Sequence, residues 1–114
     1  MKETKAIWKV RVVKPYPEAH NHLFIGEMVT RDGVAIELLC RTFHFARSVA
    51  SVKEITVGPL GRRIVPWTRV EVINVLPADF DFKESELVMG PKGEIGLSDR
   101  RYFVAVAHRG GGRF

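Results

Sequence analysis

Residues 23–45 read LFIGEMVTRDGVAIELLCRTFHF, and no other part of the chain constrains the architecture as tightly. Two apolar runs flank Arg31-Asp32-Gly33. An Asp-Gly pair between runs rich in β-branched and aromatic residues is the strongest short hairpin signal. Residues 23–30 and 34–45 are therefore expected to form antiparallel strands. In the second, Ile36, Leu38, Cys40 and Thr42 alternate with Glu37, Leu39, Arg41 and Phe43. Apolar side chains thus fall on both faces, whereas a strand with one wet face alternates cleanly. A long, bent strand shared by two sheets of a small barrel accounts for that pattern.

Outward from this hairpin the chain continues in short β-type segments. Upstream, Ala6, Trp8, Val10 and Val12 share one face and Lys9 and Arg11 the other, which predicts a half-buried strand over 6–13. Lys14-Pro15-Tyr16-Pro17 ends it, because proline donates no ladder hydrogen bond. Downstream, a turn at 46–48 leads into an expected strand over 49–57. Gly58-Pro59-Leu60-Gly61 is a loop. Residues 62–65 resume a strand, Pro66 stops its pairing, and 67–69 are long enough for one 3₁₀ turn. Residues 70–76 alternate as a strand closed by Pro77. Beyond it, 83–89 is expected to make two helical turns, 102–107 a strand, and 108–114 a flexible basic tail. The class is all-β, a single domain with a core at 23–77, an acidic extension at 78–100, and a terminal strand and tail at 101–114.

The 114 residues are 46% hydrophobic and 27% charged, an ordinary globular balance. One cysteine, Cys40, excludes an internal disulfide framework. No run approaches the 18 apolar residues of a membrane helix, and 1–5 lead into no apolar signal segment. The cytoplasm is the expected compartment. The net charge of +5 is unevenly spread. Residues 40–76 hold six basic and two acidic side chains, residues 77–99 two basic and six acidic, and residues 100–114 four arginines and no acid. Guanidinium binds phosphate through two parallel bonds, so an arginine-rich centre favours an anionic polymer as partner.

Taken in order, strand–Asp32-Gly33–strand, a long strand ending in Phe43-His44-Phe45, and Ile64-Val65-Pro66-Trp67-Thr68-Arg69-Val70-Glu71-Val72-Ile73 resemble the Sm-like family over residues 23–77. The first part is similar to that family's first motif. The second part, a strand, a turn and a strand with Val70 and Ile73 three apart, is similar to its second. The resemblance implies a five-stranded SH3-like barrel with N- and C-terminal extensions. It also implies single-stranded RNA as ligand and a homo-oligomeric ring of five to seven subunits joined at barrel edges. A monomeric barrel capped by the extension is the competing architecture. An assembly module that docks a protein partner through the acidic extension is the competing function.

Candidate RNA-binding residues are Arg41, His44, Arg47, Arg62, Arg63, Trp67 and Arg69, since arginine neutralises phosphate and aromatic rings stack bases. Phe43 and Phe45 share a strand face and are expected in the core. Trp67 suits either stacking or packing. Arg109-Gly-Gly-Gly-Arg113 is similar to one copy of an RNA-binding RGG repeat. His20-x-His22 and Cys40-x₃-His44 are the only groupings with metal-ligand spacing, and neither supplies three convergent ligands. No nucleophile elbow or phosphate-binding glycine loop is present. No metal, cofactor or catalytic activity is expected.

Overall fold

The computed structural model describes residues 5–111 and 113, so residues 1–4, and Gly112 and Phe114 of the tail, lie outside the description. Among the described residues nine strands run in chain order: β1 (Ile7–Val12), β2 (Asn21–Arg31), β3 (Ala35–Phe45), β4 (Thr56–Val57), β5 (Gly61–Pro66), β6 (Val70–Leu76), β7 (Glu86–Met89), β8 (Glu94–Ser98) and β9 (Phe103–His108). Single 3₁₀ turns occupy Val52–Glu54 and Trp67–Arg69. The first six strands form one sheet in the order β4-β3-β2-β1-β6, with β5 also paired to β3; β7-β8-β9 form a second. Every strand pair is antiparallel. The all-β expectation holds.

β3 organises both layers. Its first half buries Ile36, Leu38 and Cys40 with Trp8, Val10 and Val12 of β1, Phe24 of β2 and Val65 of β5. Its second half buries Phe43 and Phe45 on the opposite face, with Leu23 and Ile25 of β2 and Ile95, Leu97, Val104 and Val106 of the second sheet. The two-faced apolar pattern thus reflects one strand shared by two cores. Lys9, buried on β1, crosses the layers and donates from Nζ to the Ala105 carbonyl on β9 at 3.1 Å. Burial first, then the Arg11 charge, holds its ammonium below the usual lysine range.

Several segments differ from expectation. The stretch over 49–57 is mostly not a strand. Glu54 accepts hydrogen bonds from the Ala50 and Ser51 amides, and this Ser-x-x-Glu cap sets a 3₁₀ turn that leaves only two strand residues. The core of the first sheet is not confined to 23–77, because β1 lies between β2 and β6. The expected helix over 83–89 is a turn followed by β7. Asp81 accepts from the Glu84 amide and closes that turn. β8 was not anticipated at all; Gly93, at φ +85°, turns the chain from β7 into it.

The tail, expected to be flexible, is docked. Gly110 and Gly111 take φ values of +87° and +142°, which suit glycine alone, and the Gly110 amide donates to the Val49 carbonyl at 2.7 Å. Arg113 then donates to the Val12 carbonyl and reaches both oxygens of Glu71, at 3.0 and 2.8 Å. Among the described residues, no helix is long and apolar enough to cross a membrane.

Candidate nucleic-acid interface

The register of the first hairpin sets the site. The turn at Asp32-Gly33 works through the aspartate: its Oδ1 accepts from the Val34 and Ala35 amides at 2.8 and 2.9 Å, and Gly33 has no positive φ. Arg31 pairs with Ile36, and a register shift between Met28 and Thr30 leaves Val29 as an extra residue. That one-residue shift places His22 opposite His44. Their ring centroids lie 5.2 Å apart, His20 comes to 4.8 Å from His44, and Phe24 sits 4.7 Å from His22.

Two adjoining cavities open beside these rings. One, of about 210 Å³, is lined by Lys14, His20, His22, His44 and Arg69 together with Val12, Val13, Pro15 and Ala19. The other, of about 230 Å³, shares Val12, His22 and Arg69 and adds Phe24, Ile64, Val65 and Pro66. The 3₁₀ turn after β5 presents Arg69 here, and its carbonyl accepts from the Val13 amide at 2.8 Å. Arg63 of β5 is half-buried on the Cys40 side of the sheet, and its charge acts on His22. Among the described residues, no carboxylate lines either cavity, and no residue of 78–100 reaches them. The acidic extension therefore does not mask this surface.

Burial, then the neighbouring His44, Arg69 and Arg63, lowers the pKa of His22 from 6.5. The folded chain consequently binds fewer protons at His22 than the unfolded chain once pH falls below 6.5. Stability should decline as pH drops from 6.5 towards 5 and level off below the folded-state value. Urea midpoints at pH 7.5, 6.0 and 5.0 measure this decline, and His22→Gln should reduce it. An equal decline in the variant would assign the acid sensitivity to other groups. The lowered Asp32, Asp79 and Asp99 pKa values act only at lower pH, near and below 3.8.

The seven candidate residues separate into groups. His44 and Arg69 line the cavities, and Arg63, which lines neither, lies close enough for its charge to act on His22. Arg41 is engaged elsewhere: it donates to the Phe82 and Ser85 carbonyls at 3.0 and 2.7 Å and lies over the Phe43 ring, fastening residues 82–85 to β3. Arg62, on the other face of β5 from Arg63, pairs with Glu37 at 2.6 Å. Trp67 is half-buried against the β1 core and donates from its indole to the Asp32 carbonyl at 2.7 Å. Arg47 is exposed outside both cavities. Lys14, His20 and His22 were not among the expected binding residues, although the His20-x-His22 spacing marked two of them.

Cys40 is fully buried, and burial pushes its thiol up to about 11, so it behaves as a small apolar side chain. Among the described residues, no group of three or more metal-ligating side chains is arranged to hold an ion. In the acidic extension, Asp79 pairs with Arg101 and accepts from the Tyr102 hydroxyl at 2.9 Å, while Asp99 accepts from three backbone amides. Asp79 and Asp99 thus fasten loops around the second sheet. Comparison with known proteins finds no matching family model, no matching curated protein and no matching solved structure.

Proposed function

We propose that this chain is a non-catalytic, Sm-like RNA-binding protein whose first sheet is an SH3-like barrel. The order β5-β3-β2-β1-β6, with a 3₁₀ turn between β5 and β6, supports the barrel. The observation that carries the ligand is the cationic mouth: among the described residues, three imidazoles, Lys14 and Arg69 line it without a carboxylate, and the tilted Phe24 ring lies 4.7 Å from His22. Such a surface attracts phosphate, and its rings offer faces to unpaired bases. Assembly into a homo-oligomer is supported by the edges. β5 and β6 pair with β3 and β1 on one side only, and they carry Ile64 and Val75 at 73% and 76% exposure. Unpaired edges bearing exposed apolar side chains invite pairing with another copy.

Fluorescence anisotropy with a labelled single-stranded RNA, at 50 and 200 mM salt, tests the reading. Affinity should fall steeply with salt. The double variant Arg63→Ala, Arg69→Ala should lose about tenfold in affinity and lower the salt slope by about 1.4, at roughly 0.7 per phosphate contact for single strands. Arg62→Ala should do far less, because its charge is already paired with Glu37. Absence of RNA binding at 50 mM salt would overturn the RNA reading. Oligomers without RNA affinity would favour the assembly module.

A further inference from the structure

The chemistry of the smaller cavity narrows the ligand. At about 210 Å³ it is below the ~300–1,000 Å³ of sites that enclose a whole small molecule. It has room for one compact anionic group. The groups facing it come from every surrounding element: Lys14 and His20 from the β1–β2 connection, His22 from β2, His44 from β3, Arg69 from the 3₁₀ turn, with Arg63 acting from β5. The nearby carboxylate of β6, Glu71, is already shared by Arg11 and Arg113.

The His44 ring lies 4.8 Å from His20 and 5.2 Å from His22, and Lys14 and Arg69 line the same cavity, so a bound anion meets cationic or hydrogen-bonding side chains from several elements. An internal phosphodiester offers one negative charge. A phosphate monoester offers a second charge that titrates near pH 6, close to the ~6.5 of histidine. Its dianion and a protonated His22 stabilise each other. Resting on the RNA-binding reading, we propose that this cavity is a pocket for a phosphate monoester, supplied by the phosphorylated end of an RNA strand, whose binding draws a proton onto His22. No covalent step is involved. The pocket would give an otherwise general RNA surface a preference for phosphorylated ends, strongest in mild acid.

The test compares one short single-stranded RNA with and without a 5′-phosphate, by anisotropy at pH 6.3 and 8.0. At pH 6.3 the phosphorylated strand should bind about tenfold more tightly, and at pH 8.0 the preference should shrink to threefold or less. His20→Gln with His44→Gln, both exposed positions, should abolish the preference at pH 6.3. Inorganic phosphate is added separately while the imidazole carbon-bound proton resonances are followed. Equal affinity of the two strands at both pH values overturns the pocket and leaves the RNA reading standing. If neither strand binds but phosphate shifts the His22 and His44 resonances, the RNA reading fails and the pocket stands, with a free phosphate monoester as its ligand. If neither strand binds and phosphate shifts nothing, both fail.

Discussion

Phe43→Ala should be the most damaging single truncation in the chain, lowering stability by about 3–5 kcal/mol. Phe43 is fully buried at the point where β3 passes from one core to the other. It lies in register between Leu23 of β2 and Val57 of β4, and its side chain belongs to the cluster that joins the two sheets. The Arg41 guanidinium, 5.7 Å from its ring centre, holds residues 82–85 over the same place. Removing the ring therefore empties the centre of the larger core and removes a surface on which Arg41 rests. For a chain of this size the loss corresponds to roughly 12 °C or more in melting temperature. Calorimetry or thermal circular dichroism measures it. A drop of only about 4 °C would mean that the second sheet holds the first by other contacts.

Gly26→Ala should be the next most damaging, although it adds only one methyl group. Gly26 lies in β2 between Trp8 and Cys40. A Cβ placed there would fall 2.1 Å from the Leu39 carbonyl oxygen and 2.5 Å from the Cys40 Cα. Both are backbone atoms of the paired strand, so no rotamer change relieves the clash, and β2 must move away from β3. Overpacking of this kind costs about 1–3 kcal/mol, and a backbone obstacle puts the variant at or above the upper end. Because the hairpin register also places His22 opposite His44, the imidazole contacts should be disturbed with the fold. Urea denaturation followed by Trp8 and Trp67 fluorescence checks the stability loss. A midpoint equal to that of the parent chain would show that β2 and β3 are further apart here than described.

Much of the first sheet was legible because its signals are local. Alternation marked β1, Asp32-Gly33 marked the hairpin, and Pro66-Trp67-Thr68-Arg69 marked the turn before β6. The stretch over 49–57 misled because Val49, Ile55 and Val57 suggest a strand, whereas the Ser51-x-x-Glu54 cap decides the backbone. β7 and β8 are short and separated by Gly90-Pro91-Lys92-Gly93, which read as a loop and is a hairpin connection. The tail read as flexible from its glycines, yet its order comes from Glu71 and Val12, far away in sequence. Of the candidate site, His44, Arg63 and Arg69 were legible as basic or aromatic residues near strand ends. The meeting of His22 with His44 was not, because it depends on the extra residue at Val29. A two-residue turn without that bulge would place His22 opposite a different residue and send its ring to the other face.

The sharing of β3 between two cores also has a consequence for synthesis on the ribosome. All strands of the first sheet precede residue 77, so they leave the ribosome ahead of the second sheet and can assemble first. Its Leu23, Ile25, Phe43 and Phe45 side chains then have no cover until Ile95, Leu97, Val104 and Val106 follow. During that interval the nascent chain presents a broad oily face to its neighbours, the condition under which aggregation competes with folding. A chaperone that shields this face during that interval should raise the yield of folded protein.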